Sequence, residues 1–204
     1  MSSEGINCPQ CGGNLPLTFR FAKQVLCQYC GATLFLDDQA VKYAGKQAVL
    51  TEIPSLLRLG FPFRYRKKQF TPVGKIRYRH SIGFWEEWWA VDQTGKGFWL
   101  SVDEGDFAFE NSVLLNETVP RFEAIYIGQK LRLLDQNWQV TEKNVGECEG
   151  FQGELPEQIK IGEKIPYVHL SAPRAKLLTL EYDENKVNAY LGEWIDPFDI
   201  KADV

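Results

Sequence analysis

Phe84-Trp85-Glu86-Glu87-Trp88-Trp89 places three of the chain's six tryptophans around two carboxylates. In a strand, successive side chains point to opposite faces, so Trp85, Glu87 and Trp89 share one face and Phe84, Glu86 and Trp88 the other. Aromatic residues on both faces fit a strand in the middle of a sandwich or barrel. One face fills a core, and the other packs beneath a loop, a second half of the domain or a partner. Each buried tryptophan removes roughly 150–250 Å2 from water, so this strand anchors the fold. If one face is left uncovered it becomes a docking surface, which makes Trp85, Trp88 and Trp89 candidate partner-binding residues. A catalytic acid pair at Glu86 and Glu87 has little support, because the separation of such a pair across a cleft cannot be read from adjacent positions.

Outward from this stretch, short runs rich in Tyr, Trp, Val, Ile and Phe alternate with turn signals. These are Thr71-Pro72, Asp92 to Gly97, Asp103-Glu104-Gly105-Asp106, Asp135-Gln136-Asn137 and Asp183-Glu184-Asn185. Regularly spaced turn signals predict short antiparallel strands, here near 62–70, 73–80, 85–91, 97–102, 107–115, 129–134, 137–145, 147–155, 165–171, 176–183 and 186–194. No segment carries a long amphipathic helical period. The expected body is all-β, an antiparallel β-sandwich or partly closed β-barrel over residues 55–197. Leu59-Gly60 before a basic strand echoes Ile127-Gly128 before Lys130 to Leu134, so a division into two similar halves stays open. Residues 39–54 read as a connector with a short strand, and 198–204 as a tail.

Residues 1–38 read differently. Cys8-Pro9-Gln10-Cys11 and Cys27-Gln28-Tyr29-Cys30 form C-x2-C-x15-C-x2-C, the spacing of a zinc ribbon. Each C-x-x-C makes a tight knuckle, and two knuckles complete a tetrahedral four-thiolate shell. Such a shell has no open position, so one structural zinc per chain is expected. Gly12, Gly13 and Gly31 suit the left-handed turns of the knuckles. Disulfides need an oxidising compartment, and a redox C-x-x-C belongs near a βαβ pattern that is absent. An iron site uses the same ligands and remains the alternative metal. The ribbon's short strands are too poor in apolar residues to fold without metal.

Charge is uneven: residues 1–46 carry net +1, 47–100 carry +5 and 101–204 carry −10. Alternation puts Arg64, Arg66 and Lys68 on one face, and Lys75, Arg77 and Arg79 on another. These six are candidate contacts for a partner or for nucleic acid, with a solvated strand face as the plain alternative. Between its knuckles the ribbon adds only Arg20 and Lys23, which is thin for gripping phosphates. No apolar run approaches the roughly 20 residues of a membrane span, and the polar opening lacks a secretory pattern. The expected address is cytoplasmic.

Val73-Gly-Lys-Ile-Arg-Tyr78, Trp85-Glu-Glu-Trp-Trp89, Gly97-Phe-Trp-Leu100, Gly150-Phe-Gln-Gly-Glu-Leu-Pro156 and Tyr190-Leu-Gly-Glu-Trp194 follow the four-cysteine ribbon in that order. The pattern resembles the uncharacterised bacterial family called domain of unknown function 4178, with its G-x-I-x-Y, W-x-E-W and W-L strands. The second motif stands here as Trp85-Glu86-Glu87-Trp88. The resemblance implies an accessory or adaptor role near membrane-stress or S-adenosylmethionine-decarboxylase-like proteins. It carries over no catalytic residue and no small-molecule substrate.

Catalytic signals are sparse. His80 and His169 lie far apart in sequence without a serine or cysteine motif beside them, and each reads as a surface or hydrogen-bonded residue. Cys148, between Glu147 and Glu149, has acidic neighbours that raise a thiol pKa. The acidic turn at 103–106 lacks the remaining ligands of a calcium loop, and no phosphate loop, dinucleotide fingerprint or zincin motif occurs. The expectation is a non-catalytic binding or scaffold protein docking onto a partner protein. Nucleic-acid binding and an enzyme of unrecognised type are the alternatives.

Overall fold

The computed structural model describes residues 5–37, 40–46, 50–183 and 186–202. Parts of the connector, the turn at 183–185 and the tail therefore fall outside the described residues. The N-terminal strands are β1 (Ile6–Asn7), β2 (Asn14–Leu15), β3 (Gln24–Leu26), β4 (Ala32–Asp37) and β5 (Ala40–Lys46). Next come β6 (Phe63–Tyr65), β7 (Lys68–Arg79), β8 (Phe84–Asp92), β9 (Gly97–Asp103) and β10 (Asp106–Val113). The remainder is β11 (Lys130–Leu133), β12 (Gln136–Leu155), β13 (Lys164–Ala172), β14 (Lys176–Tyr182), β15 (Val187–Ile195) and β16 (Ile200–Ala202). Single 3-10 turns occupy Phe122–Ala124 and Pro197–Asp199. No helix among the described residues is long and apolar enough to cross a membrane.

The protein is all-β, and its large sheet is a partly closed barrel. Strands β7, β8, β9, β10, β15, β14, β13 and β12 are successive antiparallel neighbours, and β12 returns to β7. The 20-residue β12 serves two neighbours in turn: positions 139–147 pair with β13 and 147–153 with β7. Two expected strands, 137–145 and 147–155, are thus one. Gly146 between them is a packing position and not a turn, since a Cβ there would lie 2.3 Å from the Trp85 ring. Conversely, the expected strand 62–70 is broken at Arg66-Lys67, where Arg66 adopts a left-handed φ of 55°.

The barrel consists of two five-stranded meanders, β6–β10 and β11–β15, joined by pairing of β7 with β12 and β10 with β15. Two local features recur in both. The Gly60 N–H donates to Pro72 O, and the Gly128 N–H to Val140 O, each at 2.8 Å. Register shifts fall at Pro72/Gly74 and at Val140/Glu142. Each meander buries its own core on one face, around Phe63, Phe70, Trp88 and Leu100 in the first and Trp138, Leu170, Leu178 and Leu180 in the second. The opposite faces turn toward each other and enclose Ile76, Tyr78, Trp99 and Phe151.

The ribbon joins this body edge to edge. β3 pairs with the end of β12, Val25 opposite Glu154 and Gln24 opposite Leu155, and β4 and β5 extend the same sheet. Its core of Leu15, Phe19, Val25, Leu34 and Leu36 includes Val73 and Val91 from the barrel. The apolar shortage noted in the ribbon is met by the neighbouring domain. Within the ranges read as connector and tail, β5 extends the ribbon sheet, and β16 pairs with β6.

Candidate functional site

The four ribbon cysteines come together in space. Their sulfurs all lie within 4.8 Å of one another, with Cys8 Sγ to Cys30 Sγ and Cys11 Sγ to Cys27 Sγ both 3.8 Å. A tetrahedron with metal–sulfur bonds of about 2.3 Å has sulfurs about 3.8 Å apart, so the group fits a single ion. The same separations are far too long for disulfides, and all five cysteines are free. Two equivalent knuckles set the geometry. Gly12 N–H donates to Cys8 O and Gly31 N–H to Cys27 O at 2.8 and 2.9 Å, with both glycines at positive φ. Burial opposes ionisation of Cys8, yet backbone N–H groups of Cys11 and Gln10 bring its thiol down to about 7. Against the backbone N–H groups of Gly13 and Ala32, burial and neighbouring thiols raise Cys11 and Cys30 instead, Cys30 to about 12.

Two buried polar side chains tie ribbon to barrel. The Glu154 carboxylate accepts the backbone N–H groups of Thr18 and Phe19 at 2.8 and 2.6 Å. Gln24, fully buried, donates to Ile159 O at 3.1 Å and accepts from Ile159 N–H at 2.7 Å. Ile159 packs into the barrel interior. Phe19 also meets Trp89 edge-on at 5.5 Å. The ribbon is therefore tied to the barrel at the end of β12, where that strand leaves β7 and pairs with β3.

The strand Phe84–Asp92 packs on both faces. Trp88 is buried in the first meander's core, while Trp85 and Trp89 turn into the barrel, against Tyr78 and Trp99 at 5.0 and 4.9 Å. Glu86 lies beneath Lys75 and Arg77, its Oε1 accepting from Lys75 Nζ at 3.2 Å and Arg77 Nη2 at 2.8 Å. Lys75 and Arg77 are each 5 % exposed, so the expected basic face of Lys75, Arg77 and Arg79 does not form. Arg79 alone of the three is exposed, close to Glu147 and Glu149.

Arg64, Arg66 and Lys68 likewise do not share a strand face. Arg64 lies on β6, Lys68 opens β7, and Arg66 with Lys67 makes the turn between them. The turn is a basic ridge between two open grooves of about 530 and 650 Å3. Arg66 Nη2 meets Glu193 at 2.6 Å.

Two clusters escaped sequence reasoning. Glu87, Glu110, Glu157 and Glu181 line a cavity of about 20 Å3 in the barrel with Tyr78 and Tyr190, room for about one water. Thr179 Oγ1 donates to Glu110 at 2.7 Å and Trp85 Nε1 to Glu87 at 2.9 Å. Burial, reinforced by Glu110, pushes the Glu87 carboxyl up to about 8, and burial pushes Glu110 up to about 7. An open cleft of about 360 Å3 shares Trp99, Glu110, Glu157 and Tyr190 with the cavity.

The second cluster connects the two histidines through tilted ring contacts: His80 to Trp85 at 5.7 Å, Trp85 to Tyr167 at 5.0 Å and Tyr167 to His169 at 5.0 Å. His169 Nδ1 is 3.0 Å from Glu142 Oε2, and the Tyr167 hydroxyl donates to Glu142 Oε1. His169, helped by Tyr167, holds the Glu142 carboxyl below its ordinary range. Asp103 Oδ1 is buried without a hydrogen-bond partner among the described residues. Only a cross-strand register could have shown this convergence, because the residues come from five separate strands and loops. Cys148 is buried, and burial pushes its thiol up to about 12. The acidic turn at 103–106 is a tight hairpin with Glu104 and Gly105 at positive φ.

Residues 58–197 match the model of a family described as Domain of unknown function (DUF4178). No curated protein and no solved structure matches the chain.

Proposed function

The chain belongs to the DUF4178 family, and from that premise we propose that it is a non-catalytic binding protein, with a ribbon held by one structural zinc ion, that docks onto a partner protein. The observation that carries the reading is the stitching of a ribbon with four clustered sulfurs to the barrel by Glu154 and Gln24. Four thiolates would fill the coordination shell, so the ion orders a surface and offers no position to a substrate. Ligand thiols stay reduced in a reducing compartment, which supports the cytoplasmic address. Membrane-stress or S-adenosylmethionine-decarboxylase-like proteins, implied by the family resemblance, are the partners to try first.

Nucleic-acid binding is weakened as an alternative, since Lys75 and Arg77 are withdrawn into ion pairs with Glu86. Cross-linking in the native cell tests the main reading. One protein should be recovered with the wild type and lost with Cys11→Ser. Recovery of nothing, together with turnover of a small molecule, contradicts it.

An enzyme of unrecognised type is the second reading, favoured by the His169–Glu142 contact beside the unpartnered Asp103 Oδ1. A carboxylate orienting a histidine is a general-base arrangement. Small-molecule screening with detection of the histidine ring protons by NMR checks it. Shifts at His80 and His169 support this reading, and a library that moves neither argues against it.

A further inference from the structure

The ridge formed by the Arg66-Lys67 turn overhangs a groove of about 650 Å3 whose floor is apolar and whose rim is basic. Tyr65, Phe70, Phe98 and Phe109 form the floor, and Arg66, Lys67, Lys68 and Lys176 stand around it. Glu193 fixes Arg66 at 2.6 Å and accepts from the Tyr65 hydroxyl at 3.3 Å, which holds the ridge in place. Lys67, Lys68 and Lys176 form no ion pair among the described residues; Lys176 Nζ donates to the neutral Gln136 at 2.7 Å. Three ammonium groups thus face solvent around a pocket large enough for an apolar side chain.

We propose that this groove binds an acidic peptide segment with an apolar anchor residue, supplied by the partner protein. The inference rests on the binding-protein reading and names the chemistry of its partner. Charge complementarity selects an anion, and two features select a short peptide over a nucleic acid. Bases need open aromatic faces on which to stack. Here Phe70 and Phe98 are only 2 % and 6 % exposed and pack against each other at 5.2 Å, so neither ring presents an open face. The net −10 of residues 101–204 also repels a long polyanion, whereas a short segment senses mainly the local lysines within a Debye length.

Anisotropy of a short fluorescein-labelled peptide, glutamate-rich around one phenylalanine, tests the assignment on the full chain. Binding should weaken about tenfold in the Lys67→Glu/Lys68→Glu double variant and fall with added salt. Replacing the phenylalanine of the peptide by serine should weaken it comparably. Both lysines are exposed, so the variant should retain its fold, to be checked by circular dichroism. Absence of binding, equal binding by the variant, or tighter binding of oligo-dT or phosphatidylserine vesicles overturns the proposal. A partner recovered equally by wild type and double variant removes the groove and leaves the binding-protein reading standing. Failure to recover any partner, with the peptide still bound, removes that reading and leaves the groove.

Discussion

Glu154, near the end of β12, accepts the backbone N–H of Phe19 from the ribbon at 2.6 Å. The same carboxylate takes the Thr18 N–H at 2.8 Å, so one side chain satisfies two backbone donors across the junction. Glu154→Ala leaves those donors without their acceptor. The expected cost is roughly 1–3 kcal/mol per buried group. Urea unfolding should show a lowered midpoint, and hydrogen exchange should show the loss of protection concentrated at residues 17–26.

Glu86 is the counter-charge of two buried cations, Lys75 and Arg77. Glu86→Gln keeps the shape and removes the charge, leaving both cations uncompensated. Breaking such a pair from one side costs about 3–5 kcal/mol. A urea-midpoint shift of that size is expected. An unchanged midpoint would show that solvent reaches the pair.

The barrel's acidic interior makes stability depend on pH. Glu87 and Glu110 titrate near 4.5 when unfolded and at about 8 and about 7 when folded, raised first by burial. The folded state therefore binds protons more tightly. The stabilisation from these carboxyls is fully present below about pH 4.5 and declines as pH rises toward 8. Glu110→Gln keeps an acceptor for Thr179 and removes one titrating group. Its thermal midpoint should fall less than the wild type's between pH 5 and 8.

Much of this architecture was legible in the chain because the signals are local. Two C-x2-C knuckles with glycine after each specify a turn geometry, and their spacing brought four sulfurs together as expected. The alternation through Trp85 to Trp89 predicted aromatic packing on both faces, and both faces are packed. What escaped depends on register between distant strands. Lys75 and Arg77 look like a solvated face until β8 brings Glu86 opposite Arg77. Gly146 resembles a turn residue until the Trp85 ring occupies the space of its missing Cβ. His80 and His169 read as isolated because the rings that join them belong to β8 and β13.

Cys148 should behave unlike the other four cysteines. It is buried, with its thiol pushed up to about 12, so alkylation of the native protein should leave it unmodified. Removing the metal with a chelator should expose the ribbon thiols first. Mass spectrometry after alkylation, with Cys148 labelled only on unfolding, checks this order.

On the reading proposed above, a metal held by Cys8, Cys11, Cys27 and Cys30 orders a ribbon that is continuous with the barrel. Elemental analysis of the purified full chain, paired with hydrogen exchange before and after chelation, tests it most directly. About one zinc per chain is expected. On chelation, protection should be lost at residues 6–36 and should spread to the segment around Ile159 through Gln24. Metal-free protein that keeps full protection in the ribbon would contradict it.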